Sequence, residues 1–213
     1  MQMNSNFPDW LTPVAWVFLA LALASAIAIA VDIYARGHRH KTVAAEFVWI
    51  ASASYLGPFA LAIYARYGRT ETNPPAGVGV LPGGVASAAA HVIGVPLVIA
   101  SGLTIAGINL WVLILVIGVL AMVLLFVYER AAASERAGAM PVGTAVAAAV
   151  FTVLAFDVGM GGWMLLLHFN EFMPPATDAS FWFLMQLGIV LGLLTGYPVV
   201  RWLAERNRTV VPA

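Results

Sequence analysis

A carboxylate, two thioethers and an imidazole recur along one apolar stretch of this chain: Asp157, Met160, Met164 and His168. A helix turns about 100° per residue, so these spacings bring all four to one face. That ligand set suits a soft cation such as Cu(I). With a rise of about 1.5 Å per residue, Asp157 and His168 stand some 16 Å apart. They cannot share one ion, so the stripe would be a path and not a single site. The same stripe also reads as plain core, in which Met fills gaps and Asp157 hydrogen-bonds a neighbour such as His91, Ser87 or Asn109.

His91 is the second candidate. An ionisable group deep in a bilayer costs about 2.5–3.5 kcal/mol, so each one is a functional hypothesis by default. Asp157 and His91 at similar depth could relay a proton, or ligate one metal with Met160 or Glu46. A structural hydrogen bond locking two helices is the competing reading. His91 and His168 together also admit a bis-His haem, as a third reading. Asp32, Glu46, Glu129 and His168 fall near the ends of apolar runs, where interfacial water makes them cheap. Gly37-His-Arg-His-Lys41 resembles a metal-capturing or headgroup patch, although short turns of mixed charge are ordinarily just solvated.

Catalytic signatures are absent from the sequence: no Gly-x-Ser-x-Gly, no His-Glu-x-x-His and no phosphate-cradling loop. Ser101-Gly102 has no suitably placed base. Cysteine is missing, which removes disulfides, thiolate metal sites and cysteine nucleophiles. A non-enzymatic protein is expected. No cofactor is required by the sequence, with copper or another metal ion as the candidate.

The elements that must position these groups follow from composition. Of 213 residues, 62% are hydrophobic and 9% charged, against about 25% charged in a soluble domain. A mean hydropathy of +0.92 excludes a soluble enzyme and a nucleic-acid binder and makes the lipid bilayer the principal partner. The expectation is an all-α polytopic transmembrane helix bundle forming one domain over 1–213. About six spans are expected, near 14–34, 43–65, 84–107, 110–128, 142–168 and 181–203. Gly57-Pro58 should kink the second. Gly94, Pro96 and Gly102 interrupt the third, so five spans with a re-entrant third segment is the alternative. The N-terminal stretch Met1–Trp10 carries no Lys or Arg, and a cleaved signal peptide is not expected.

Ten basic and ten acidic residues balance, so no polyanionic partner is favoured. Six spans with the N-terminus inside place seven of the ten Lys and Arg in the cytoplasm and leave Arg36, Arg39 and Lys41 outside. The re-entrant alternative, with the N-terminus outside, leaves only Arg66 and Arg69 outside. One residue separates the two, so sidedness stays open. Gly188, Gly192 and Gly196 mark one face of the last helix for close packing, within the chain or in a homo-oligomer or membrane-complex seam.

Several runs carry a family resemblance: Asp32-Ile-Tyr-Ala-Arg-Gly-His38, Phe47-Val-Trp49, Ser54-Tyr-Leu-Gly-Pro58 and Tyr64-Ala-Arg-Tyr-Gly68. Thr152-Val-Leu-Ala-Phe-Asp-Val-Gly-Met160, Gly162-Trp-Met164, Met185-Gln186 and Thr195-Gly-Tyr-Pro198 continue the pattern. Together they resemble an uncharacterised prokaryotic multi-pass membrane family, the domain-of-unknown-function family 4396. The resemblance implies a compact helical domain in the prokaryotic inner membrane and no established activity. Typical members carry paired cysteines just after a histidine of the third span. Here Val92 follows His91, which counts against metal binding at that point and favours the stretch from Asp157 to His168.

These residues lead to the expectation of a membrane protein handling a proton or a soft metal ion. Asp157 and His91 would carry the ion, with Met160, Met164 and His168 lining its approach. A structural subunit packing through small-residue faces is the alternative.

Overall fold

The computed structural model describes residues 8–69, 75–134 and 140–212, with only the backbone of Ser134. The connector Thr70–Pro74, residues 135–139 of the charged loop and Met1–Phe7 lie outside the described residues.

The described chain is helical: α1 Leu11–Tyr34, α2 Val43–Leu56, α3 Pro58–Ile63, α4 Leu81–Ser101, α5 Asn109–Ser134, α6 Val142–Phe169 and α7 Ala179–Glu205. A π-helical turn, Tyr64–Gly68, extends α3, and a 3₁₀ turn, Ala76–Val80, leads into α4. Among the described residues, five helices are long and apolar enough to cross a membrane: α1, α4 with its leading turn, α5, α6 and α7. Exposed Leu21, Leu115, Val158 and Leu194 ring the outside of the bundle, the inverse of a water-soluble surface. The chain is an integral membrane protein with a polytopic helical bundle.

The second apolar segment differs from the span expected over 43–65. α2 has 14 residues, about 21 Å of helix, and ends at Gly57 with φ 55° and ψ −135°. A side chain would resist that conformation, and Pro58 starts α3 with its φ already set. The reversed chain then returns to where α2 began. Tyr64 packs its ring 5.7 Å from that of Trp49, and Gly68 lies beneath the same indole. The tip at Gly57 meets Phe18 of α1. α2, α3 and the π turn therefore form a hairpin that enters the bundle and leaves by the same end.

The third segment, the expected candidate for re-entry, is instead a continuous helix despite Pro96. It stops at Ser101 because Gly102 adopts φ 64° and caps it. The joint to α5 is therefore the turn 102–108 and not Ile108-Asn109 alone, with Ile105 and Ile108 bridged across it.

α1 and α7 run parallel. Thr12 hydrogen-bonds the Asp178 side chain at the start of α7, and the Phe18 and Phe183 rings meet edge to face at 5.2 Å. α6 and α7 pack most closely. Gly192 and Gly196 lie against Phe156, Gly188 against the Met160 sulfur and Trp163, and Gly159 against the Leu191 carbonyl. Small residues on both helices permit this approach, and Trp163 Nε1 donates to the Leu184 carbonyl at 2.9 Å.

Candidate functional site

His91 sits at the middle of α4 with 2% of its surface exposed. Its Nδ1 lies 2.8 Å from the Ser87 carbonyl one turn back. A carbonyl only accepts, so Nδ1 carries the proton and neutral His91 presents a lone pair at Nε2. That Nε2 is buried and has no partner. The His91 residue lines a cavity of about 200 Å³ between α2, α4 and α7, to which Ser54, Trp182, Met185 and Gln186 also contribute. Oε1 of Gln186 is likewise buried and unpartnered. Most of the remaining wall is apolar: Phe47, Ala51, Val85 and Ile189. An unpartnered acceptor on each of two residues that line one small, mostly apolar cavity calls for a species that donates hydrogen bonds or carries positive charge.

The Asp157 stripe does not converge on this chamber. Asp157 is half-buried on the side of α6 that meets α5, where a Cβ on Gly118 would lie 3.2 Å from its Oδ2. Among the described residues no hydrogen bond or ion pair joins it to His91, Ser87 or Asn109. Met160 and Met164 are buried, with the Met160 sulfur against Gly188. His168 lies at the end of α6, edge-on to Phe169 with centroids 5.4 Å apart. His91 and His168 are thus held in different surroundings, and nothing brings them to the two sides of a haem. Among the described residues no three His, Asp or Glu side chains gather as a metal-ligand group.

A second polar cluster closes the hairpin against α1. Asp32 is 6% exposed and accepts a hydrogen bond from Tyr64 Oη at 3.0 Å. Around the same carboxylate stand Arg69 at 3.0 Å, His38 at 3.3 Å and Arg36 at 3.4 Å. Glu46, 1% exposed, receives Arg39 on both oxygens at 2.6 and 3.1 Å and the His40 N–H at 3.2 Å. His40 stacks on Trp49 at 6.2 Å, and burial pushes its imidazole below the usual histidine range. Each carboxylate holds a guanidinium in place, and the cluster is a clasp whose charges are compensated internally.

The sequence singled out His91 but not Gln186, Met185 and Ser54, which face the cavity with it. The signal for Gln186 was an amide within an apolar helix, where a polar side chain calls for a partner. In the sequence, Asp32 and Glu46 fall at the ends of apolar runs, where an interfacial position accounts for them. The density of opposite charges between Asp32 and Glu46 was the sign of a clasp.

The profile of Domain of unknown function (DUF4396) matches residues 75–208. That range takes in α4 to α7, hence His91, Gln186 and Asp157, and leaves α1 and the hairpin outside. The resembling runs between Asp32 and Gly68 therefore fall beyond the matched part. No curated protein and no solved structure matches the chain. With more than half of its length under that profile, this helical membrane protein belongs to the DUF4396 family.

Proposed function

We propose that the protein binds and passes a small cation, a proton or a soft monovalent metal ion, at the chamber between α2, α4 and α7. One observation carries this reading: the Nε2 of His91 and the Oε1 of Gln186 are both buried, unpartnered acceptors, on two residues that line the same small cavity. His91 would hold the proton or donate nitrogen to the ion. Met185 offers a thioether on the same wall, which suits a soft cation. Asp157, without a partner on the α5 side, would be a separate station. No catalytic role is assigned, and the membrane would be the cytoplasmic membrane of a prokaryotic cell.

The test is ion flux in proteoliposomes with His91→Ala and Gln186→Leu beside the wild type, read by a pH-sensitive dye and by Cu(I) uptake. Loss of flux in folded variants supports the reading. Wild-type protein that moves neither ion, and binds no metal by elemental analysis, overturns it.

A further inference from the structure

The hairpin settles which basic residues share an end of the bundle. Arg36, Arg39 and Lys41 follow α1. Arg66 and Arg69 close the hairpin, and Arg69 reaches Asp32 at the foot of α1. Because the hairpin returns, α4 starts from that same end: Gly77 meets Tyr197 and Gly79 meets Val200 near the end of α7. Ala132 and Ala133 at the end of α5 pack with Ala44, Met140 and Val210. This places Arg130 there. Arg201, Arg206 and Arg208 end α7. All nine Lys and Arg among the described residues thus fall at one end.

The opposite end has the start of α1, the turn 102–108 and the segment 170–178, which carry Asp9, Glu171 and Asp178 and no Lys or Arg. A six-span chain would divide the basic residues between both faces, so the asymmetry exists only because the second segment turns back. The positive-inside bias acts on short connections of this kind. The aromatic anchors agree: Arg66 lies over the Tyr67 ring at 5.4 Å and Arg206 over Trp202 at 4.4 Å.

We propose that this basic end is the cytoplasmic face, with the start of α1 outside, and that it rests on anionic lipid headgroups of the inner leaflet. The exposed side chains of Lys41, Arg66, Arg206 and Arg208, which stand outside the carboxylate clasp, form the contacting surface, and an anionic leaflet attracts each such charge. The hairpin then dips into the membrane from the cytoplasmic side, and its α2 supplies Phe47, Ala51 and Ser54 to the His91 chamber. This inference does not depend on what the chamber binds.

The chain has no cysteine, so single-cysteine variants report topology directly. Lys41→Cys, Asn73→Cys, Arg208→Cys, Thr104→Cys and Thr177→Cys would be exposed to an impermeant maleimide, on intact cells and on inside-out vesicles. Labelling of Thr104→Cys and Thr177→Cys on cells, and of the other three only on vesicles, supports the proposal. Asn73→Cys on the face opposite Lys41→Cys would remove the hairpin, and the reverse pattern at all five would overturn the orientation. For the headgroup contact, melting is compared in nanodiscs of phosphatidylglycerol and of phosphatidylcholine. A higher melting temperature in the anionic lipid that salt abolishes supports it. Equal melting in both overturns it.

Discussion

Arg69 Nε lies 3.0 Å from Oδ2 of Asp32, so the residue that ends the hairpin is tied to the last turn of the helix that precedes it. Tyr64 donates to the same oxygen. Removing the carboxylate leaves both without their charged partner and opens the clasp. Asp32→Asn should lower stability by about 1–3 kcal/mol, and Tyr64→Phe by less, in thermal unfolding of detergent-purified protein. An Asp32→Asn variant that melts like the wild type would mean that apolar packing alone holds the hairpin.

The chamber sets stability against function. Gln186 and His91 carry buried atoms without partners, and each such atom costs about 1–3 kcal/mol. Replacing Gln186 by Met removes one while keeping volume. Gln186→Met should therefore be as stable as the wild type or more so, while flux or metal retention falls. A strongly destabilised Gln186→Met would instead mark Gln186 as a structural residue.

The α6–α7 contact distinguishes glycines that look alike in the sequence. A Cβ at Gly159 would collide with the Leu191 backbone carbonyl, whereas one at Gly143 meets nothing. Backbone cannot swing aside as a side chain can. Gly159→Ala should cost about 1–3 kcal/mol, and Gly143→Ala, near the start of α6, should gain up to about 1 kcal/mol from reduced chain entropy. Equal melting temperatures for the two would contradict the helix contact.

Asp178 caps α7. The Ser180 N–H and hydroxyl each donate to its Oδ1 at 2.8 Å, and these bonds, with Thr12, hold its carboxyl below the usual aspartate range. A lowered folded-state value means stabilisation that is present above about pH 3.9 and lost as pH falls through the folded value. Asp178→Ala should cost about 0.5–2 kcal/mol at pH 7, and its difference from wild type should shrink toward pH 3. A cost that does not change with pH would assign the effect to packing.

Glu129 anchors the tail that follows α7. It is 2% exposed, accepts the Val210 N–H at 2.8 Å and is bonded by the Thr209 hydroxyl. Glu129→Ala should release residues after Glu205, so that limited proteolysis cuts the tail of the variant faster than that of the wild type. Identical digestion patterns would show that the carboxylate is not the anchor.

What the sequence determined by itself is set by composition and local propensity. Long uncharged apolar runs have to be membrane helices, and α1, α5, α6 and α7 could be placed because each is continuous and flanked by polar or Pro-bearing breaks. His91 stood out because an imidazole in such a run has no cheap solvation. The direction of the second segment was not legible, since hydropathy measures the length of an apolar run and not whether it turns back. That reversal rests on the left-handed Gly57 together with contacts between residues far apart in sequence, Asp32 with Tyr64 and Arg69. The pairing of His91 with Gln186 likewise needed α4 and α7 brought side by side. Only the tertiary structure decided these points, because both are made by side chains from separate helices, whose meeting no local pattern encodes.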